Sequence, residues 1–151
     1  PTRDVLFADP YKEGKLLKMA APVKWAYAIA IINVDRDGKS IRDSITLDIT
    51  PHRLEHDEYA YYLVNRGSKG VIRRGEKIEV ELRELEADIV ILAPIVEGKA
   101  VIGLREYLLP PYPVEMIRPN KIMTKAQGTL LYYANGEFRE KSSRMGEFIE
   151  L

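Results

Sequence analysis

Apolar and polar residues alternate along this chain with a period of two, and that alternation restricts its fold more than any other feature. Ile78, Val80 and Leu82 alternate with charged residues, and residues 45–50 alternate in the same way with Thr and Asp. Such a pattern is typical of a strand with one buried and one solvated face. The two segments are therefore predicted to be half-exposed antiparallel strands.

Other strand-like segments are joined by turn signals. Residues 25–34 and 87–95 are almost wholly apolar and indicate central strands buried on both faces. Shorter strand-like segments are 59–65, 70–73, 100–104, 130–134 and 138–141. Glycine-containing turns separate them: Asp37-Gly38, Arg66-Gly67, Arg74-Gly75, Glu97-Gly98 and Asn135-Gly136. The spacing predicts antiparallel hairpins, and the fold class is predicted as all-β, an antiparallel β-sandwich of about eight to ten strands.

Four prolines, Pro110, Pro111, Pro113 and Pro119, fall within residues 109–119. A proline cannot donate to a sheet ladder, so this segment is predicted to be an irregular loop that crosses to a final group in residues 121–151. The length fits a single domain, residues 1–151.

Composition excludes several classes of protein. Lys and Arg number 23 and Asp and Glu number 23, a balance that argues against a dedicated nucleic-acid binder. The absence of cysteine excludes disulfides and thiol chemistry and is compatible with the cytoplasm, the location we expect. No apolar run reaches about 18 residues, so no membrane partner is expected. The 30% charged residues, the absence of cysteine and the single Gln127 are typical of a thermophile.

The string at residues 52–56 has the H-x-x-E-H order of inverted zinc metalloproteases. On a helix, His52 and His56 would share a face and bind zinc, with Glu55 as the base. Thr50 and Pro51 suit the start of such a helix. The alternative is a surface turn between two strands. Because the chain has only 2 histidines, no third histidine ligand exists.

Other combinations of catalytic residue types are weaker. Carboxylates occur in close pairs: Asp4 with Asp9, Asp57 with Glu58, and Glu84 with Glu86. A glycosidase uses two carboxylates about 5–9 Å apart across a pocket, whereas these pairs lie mostly in polar, turn-like sequence. No nucleophile-elbow string surrounds Ser40 or Ser44, so serine catalysis is not indicated.

The last third of the chain combines basic and aromatic residues: Lys121, Lys125, Tyr132, Tyr133, Phe138, Arg139 and Lys141. Aromatic side chains on a strand face beside basic residues can stack on sugars or on bases. Tyr and Phe are also common in strands, and Lys and Arg guard sheet edges. Carbohydrate binding by these strands is kept as an alternative, and nucleic acid is not expected as a partner.

The opening of the chain carries a resemblance to a known family. Residues 1–10 read P-T-R-D-V-L-F-A-D-P, and residues 14–19 read G-K-L-L-K-M. They resemble the P-T-x-D-C-L-F-x-D-P and D-G-K-x-L-L-K-I-W strings of raffinose synthases and alkaline α-galactosidases. Val5 stands where that family has Cys, and Ala20 where it has Trp.

Further strings resemble the same family in the same order. They lie at 28–33 (V-I-G-V-F-N), 49–54 (V-S-P-x-D-I), 59–62 (F-A-V-Y), 91–95 (V-x-P-V), 102–107 (I-G-L-x-x-x-L/Y) and 125–133 (K-x-x-G-x-x-x-x-Y). The resemblance therefore covers nearly the whole chain, and residues 1–22 resemble the linker that leaves the catalytic barrel.

The resemblance implies a parent enzyme that performs retaining galactoside hydrolysis or galactosyl transfer. One aspartate attacks the anomeric carbon, and a second acts as acid and then base. Both lie in the family's barrel, and neither surrounding motif occurs here. No catalytic, cofactor-binding or metal-binding residue is therefore assigned to this chain, and no cofactor is expected.

We interpret the chain as the non-catalytic C-terminal accessory domain of an α-galactosidase- or raffinose-synthase-like glycoside hydrolase, with the catalytic (β/α) barrel as its partner. A face that meets a barrel exposes an apolar patch when isolated, so self-association is expected. The candidate patch is Leu108, Leu109, Tyr112, Val114 and Met116. The alternatives are a stand-alone carbohydrate-binding module on the Tyr-rich strands, and a small zinc hydrolase that needs His52, Glu55 and His56 on a helix.

Overall fold

The computed structural model describes residues 15–48 and 54–151. These residues form antiparallel strands and contain no helix, so none of their elements is a helix that could cross a membrane. The strings at residues 1–10 and residue His52 lie outside these ranges. The strands are β1 (Leu17–Val23), β2 (Ala26–Ile32), β3 (Ile41–Ile45), β4 (Glu58–Leu63), β5 (Lys69–Arg73), β6 (Ile78–Leu82), β7 (Ala87–Pro94), β8 (Lys99–Leu104), β9 (Val114–Arg118), β10 (Lys121–Thr124), β11 (Gly128–Ala134), β12 (Glu137–Ser143) and β13 (Phe148–Glu150).

The strands form four sheets that stack as layers. The largest has the order β1-β2-β7-β4-β5, and the smallest is the pair β3-β6. Two three-stranded sheets have the orders β12-β11-β8 and β13-β10-β9. The predicted all-β, sandwich-like class is confirmed, and it is built from short strands whose neighbours in each sheet are antiparallel.

The five-stranded sheet is the central layer and is buried on both faces. One face packs on the β3-β6 pair. The first core lies between them and includes Ile29, Ile31, Val80, Leu82, Val90 and Leu92. The other face packs on the β12-β11-β8 sheet, and the second core, between these two sheets, includes Ala28, Tyr62, Ile91, Ile102 and Leu131. Strands β2 and β7 are therefore buried on both sides, as their continuous apolar sequence predicts.

The β12-β11-β8 sheet is covered in turn by the β13-β10-β9 sheet. This third core contains Val101, Leu104, Val114, Ile122, Leu130 and Ile149. Trp25 packs against both the second and the third core. Its indole N–H donates to the Val101 carbonyl at 2.8 Å, so one side chain ties the central sheet to the C-terminal layers.

Tight turns join adjacent strands as the sequence predicts. Glu97 and Gly98, between β7 and β8, have φ of 53° and 78°. Asn135 and Gly136, between β11 and β12, have φ of 51° and 94°. Two consecutive positive φ angles define the type I′ hairpin turn, whose twist matches that of the flanking strands.

Two predictions about the strands are wrong in part. The strand predicted over residues 45–50 is β3, which runs from Ile41 to Ile45 and then turns, with the Thr46 hydroxyl accepting from the Asp48 N–H at 3.3 Å. The segment 109–119 is not wholly irregular, because β9 begins immediately after Pro113 and pairs with β10. Pro110 and Pro111 do lie in turns, where the missing N–H removes no hydrogen bond from a sheet.

Candidate functional site

The zinc-binding alternative for residues 52–56 needs a helix. Of that string the structure describes residues 54–56, where Glu55 and His56 lie in an irregular segment directly before β4, so the helix that this alternative requires is absent from its described part. The Arg74 guanidinium, from the turn between β5 and β6, binds the carbonyls of Leu54 and His56, the latter at 2.8 Å. Among residues 15–48 and 54–151, no three His, Cys, Asp or Glu side chains are grouped to hold a metal ion.

Three of the paired carboxylates are bound to arginine residues at the surface. Asp57 binds Arg74 at 2.8 Å, and Glu58 binds Arg73 at 2.7 Å. Glu86 accepts from the backbone N–H of Arg83, and this hydrogen bond lowers the pKa of the Glu86 carboxyl. Asp4 and Asp9 lie outside the described residues. These three carboxylates therefore have structural partners on the surface.

The aromatic residues of β11 and β12 do not form a single stacking face. Tyr133 packs edge-on against Phe138, with ring centroids 5.2 Å apart, and both contact the second core. Tyr132 points to the opposite face of the sheet and packs against the third core. Because consecutive strand residues face opposite sides, Tyr132 and Tyr133 do not belong to one stacking surface.

A different aromatic site is assembled by the stacking of the sheets. We call it the Tyr112 groove: it is lined by Lys24, Tyr107, Tyr112, Pro113, Glu115 and Lys125 and has a volume of about 440 Å³. Lys24 comes from the turn between β1 and β2, and Lys125 follows β10. The two tyrosines come from the loop between β8 and β9. Residues so distant in sequence give no motif, which is why the sequence did not indicate the site.

Gly103 fixes the loop that carries both tyrosines. Its φ is 127°, and the backbone of Pro110 fills the space that a Cβ atom would occupy. The Leu104 N–H donates to the Pro110 carbonyl at 2.9 Å. Only glycine allows this close approach, so the glycine of the I-G-L string anchors the loop.

Tyr112 is an exposed aromatic residue between two buried prolines. Its side chain is 69% exposed, whereas Pro111 and Pro113 on either side are buried. The Tyr112 N–H donates to the Leu109 carbonyl at 3.0 Å, and the Val114 N–H donates to the Pro111 carbonyl at 3.1 Å. Fixed proline φ angles and these turn hydrogen bonds leave the backbone at Tyr112 little conformational freedom.

The polar wall of the groove is a network centred on Glu115. Its carboxylate accepts from Lys125 Nζ at 2.6 Å and from Lys24 Nζ at 3.1 Å. Lys24 also donates to the Val114 carbonyl at 2.9 Å and lies 5.7 Å from the Tyr112 ring centroid. The hydrogen bonds from Lys125 and then Lys24 lower the pKa of Glu115, which stays ionised at neutral pH.

Lys24 also borders a second groove of about 330 Å³. Trp25, Tyr27, Glu55, His56 and Tyr59 are among its lining residues. Burial raises the pKa of the Tyr59 hydroxyl, which accepts from the His56 N–H at 3.2 Å. Two residues of the sequence-predicted zinc string are thus brought beside aromatic residues rather than beside further metal ligands.

The β13-β10-β9 sheet exposes several apolar side chains among charged ones, since Met123 pairs with Glu115 and the Lys121 ammonium lies 5.6 Å from the Phe148 ring centroid. We define the outer face as Ile117 of β9, Met123 of β10 and Phe148 of β13, which alternate with inward-facing residues of the third core. Ile117 is 54% exposed and Phe148 is 61% exposed. The outward residues of the β3-β6 pair are instead polar, and include Arg42, Glu79 and Glu81.

The apolar patch expected in the proline-rich segment is only partly present. Leu108 is 66% exposed and Tyr112 is also exposed. Val114 is buried in the third core and Met116 packs against it. Strand formation in residues 114–118 turns these two side chains inward, and Ile117 is the residue that faces out.

Comparison with known proteins adds similarity to solved structures alone. No family model matches the chain. No curated protein matches it. Seven chains of solved structures do match. One is a protein of Bacillus halodurans C-125, provisionally named an alpha-N-acetylgalactosaminidase, with 18% identity and a TM-score of 0.46 over 61% of this chain and 21% of that chain. This chain thus spans about a fifth of the length of that enzyme.

Proposed function

We propose that this chain, residues 1–151, is the non-catalytic C-terminal β-domain of an α-galactosidase- or raffinose-synthase-like glycoside hydrolase. Its role is to pack against the catalytic (β/α) barrel and support it. The proposal is supported by the strings that resemble that family in order along the chain, and by residues 1–22, which resemble the linker that leaves the barrel. The barrel is therefore the partner proposed to cover this domain.

The observation that carries the proposal is the outer face. Ile117, Met123 and Phe148 are exposed or half-buried on the outward side of a three-stranded antiparallel sheet, beside charged residues such as Glu115 and Lys121. Outward positions of such a sheet are normally polar, so three apolar side chains there are an observation that a partner would explain. Fully burying an Ile, Met or Phe side chain contributes about 1.5–3 kcal/mol. A barrel that covers the outer face would thus gain binding free energy from each of these side chains.

The carboxyl groups support a non-catalytic role. A glycosidase acid needs a raised pKa so that it stays protonated at neutral pH. Burial acts to raise the pKa of Asp43 and of Glu106, but their hydrogen bonds outweigh it and both values lie below the ordinary range. The pKa values of Glu86 and Glu115 are also lowered, by a backbone N–H and by lysines. These four groups suit structural ion pairs rather than proton donation.

The first experiment assays the chain against an aryl α-galactoside, with bound metal measured in the same sample. We expect no turnover. Turnover that survives purification would overturn the proposal, and turnover together with stoichiometric zinc would make Glu55 and His56 the first residues to substitute.

The second experiment tests the barrel partner. A raffinose-synthase-like enzyme is prepared without its own C-terminal domain, mixed with this chain, and followed by co-elution and by activity. We expect a complex with the wild-type chain and a much weaker one with the Ile117→Thr/Phe148→Ser variant. The matched control is Glu79→Ser, on the outward face of β6, which leaves the complex unchanged. Equal binding by all three proteins would contradict docking through the outer face.

A further inference from the structure

The Tyr112 groove has the aromatic component of a small-ligand site. Two tyrosines line it, and the Tyr112 side chain is 69% exposed. The prolines around Tyr112 and its turn hydrogen bonds hold the backbone that carries the ring before any ligand arrives. A preorganised loop loses little backbone conformational entropy on binding.

The polar wall supplies donors and an acceptor side by side. Lys24 and Lys125 present ammonium groups, and Glu115 presents a carboxylate between them. A hydroxyl group both donates and accepts, so a ligand with adjacent hydroxyls can use both kinds of partner. The lysines are already fixed by Glu115, and a bound ligand therefore immobilises few additional rotamers.

The central carboxylate weakens the attraction of the two ammonium groups for anionic ligands. Glu115 remains ionised because Lys125 and Lys24 lower its pKa. A phosphate or carboxylate that approached the two ammonium groups would meet this negative charge at close range, which is a repulsive element against such ligands. Nucleic acid, whose affinity comes mainly from phosphate neutralisation, is disfavoured for the same reason.

We propose that the Tyr112 groove binds one ring of a neutral carbohydrate. The apolar side of the ring stacks on Tyr112, with Tyr107 beside it, and the hydroxyls bind Glu115, Lys24 and Lys125. The volume of about 440 Å³ falls within the range of about 300–1,000 Å³ that is usual for small-molecule sites. The groove is formed by residues of this chain alone, and none of them is Ile117, Met123 or Phe148 of the outer face. The inference therefore goes beyond the proposed docking to a barrel.

The chain provides its own reporter for a binding experiment. Trp25 is the single tryptophan and adjoins Lys24 in the turn between β1 and β2. We expect saturable changes in Trp25 fluorescence, and matching heats by calorimetry, when methyl α-galactoside or methyl α-glucoside is titrated into the full chain. Glucuronate at the same concentration is expected to give a weaker signal, because its carboxylate meets that of Glu115.

Variants assign the signal to the groove. Tyr112→Ala is expected to weaken sugar binding about tenfold or more, while Tyr112→Phe, which keeps the ring, preserves most of it. Phe148→Ala is the matched control, because it removes an exposed aromatic side chain outside the groove. Glu115→Gln is expected to weaken sugar binding and to strengthen glucuronate binding. The thermal midpoint of each variant shows that it is folded.

Three results would overturn the inference: no saturable binding of either glycoside, binding that Tyr112→Ala leaves unchanged, or Tyr112-dependent binding of oligo(dT) in place of sugar. Its failure is distinguishable from failure of the proposed function. Phe148→Ser tests docking to the barrel and leaves the groove intact, whereas Tyr112→Ala removes the stacking surface and leaves the outer face intact.

Discussion

The backbone of Pro110 lies against the α-carbon of Gly103, in the space that a Cβ atom would occupy. This contact closes the loop between β8 and β9 onto the sheet that carries it. The loop holds Tyr107 and Tyr112 and leads into β9, whose Val114 is fully buried in the third core. One glycine therefore determines both the geometry of the groove and the position of the C-terminal sheet.

Gly103→Ala is expected to destabilise the chain strongly. The φ of 127° is unfavourable for any residue with a Cβ atom, and the new methyl group would also displace the Pro110 carbonyl. The matched control is Gly75→Ala, at φ of 87° but with open space around it. We expect a loss of about 1–2 kcal/mol for the control and about 1–3 kcal/mol more for Gly103→Ala, measured by urea unfolding. Equal losses would show that the Pro110 contact is not restrictive.

The buried pair Lys18 and Asp43 explains why two strands were poorly predicted. Lys18 lies between inward-facing Leu16 and Ala20, and Asp43 lies between inward-facing Ile41 and Ile45. A charged residue at the middle of each inward face interrupts the period-two pattern. The sequence does not show that the two charges meet, at 2.6 Å, across the first core.

Other elements were predictable because their cause is local. The Asn135-Gly136 turn needs two positive φ angles, which these residue types accept, so the hairpin was found. The Tyr112 groove has no local cause, since Lys24 and Lys125 meet at Glu115 only after the layers stack. The H-x-x-E-H string left a helix and a surface turn open, because the contact that decides between them is also distant in sequence. Arg74 of a distant turn fixes that backbone in a non-helical course.

Asp43→Asn is expected to destabilise the chain and to change the pH dependence of its stability. The variant leaves the Lys18 ammonium buried without a counter-ion, at a cost of about 3–5 kcal/mol at neutral pH. Lys18→Met/Asp43→Asn should recover much of that loss, because no buried charge remains. The surface control Glu81→Gln, which removes the partner of exposed Arg42, should cost less than about 1 kcal/mol.

The sign of the pH effect follows from the pKa of Asp43. Burial raises this pKa, but the Lys18 hydrogen bond and the Ser44 N–H outweigh it, so the folded value lies below the unfolded one. The stabilisation by ionised Asp43 is therefore fully present at a pH above about 3.9, the pKa of Asp in the unfolded chain, and it is lost as the pH falls through the folded pKa. The free energy of unfolding, measured in urea as the pH falls below about 3.9, should decrease in wild type. The Asp43→Asn variant should not show this part of the decrease. Parallel curves for the two proteins would contradict the assignment.

Trp25→Phe is expected to loosen the C-terminal layers from the central sheet. It removes the indole N–H that donates to the Val101 carbonyl at 2.8 Å, at a cost of about 1–3 kcal/mol. Trp25→Leu loses the same hydrogen bond and also the aromatic contacts with the second and third cores. Urea unfolding followed by circular dichroism should rank the stabilities as wild type, Trp25→Phe, then Trp25→Leu. A reversed order of the two variants would show that the ring does not join the layers.

Ile117→Thr/Phe148→Ser is expected to reduce self-association of the isolated chain. Both side chains are more than half exposed on the outer face, so their removal takes away apolar contact area without opening a cavity in the core. Leu85→Ser is the control, because Leu85 is 76% exposed on the turn between β6 and β7, away from the outer face. Sedimentation at increasing concentration should show association of wild type and Leu85→Ser and a monomer for the double variant. A wild-type chain that stays monomeric at high concentration would show that the outer face needs a dedicated partner rather than a second copy.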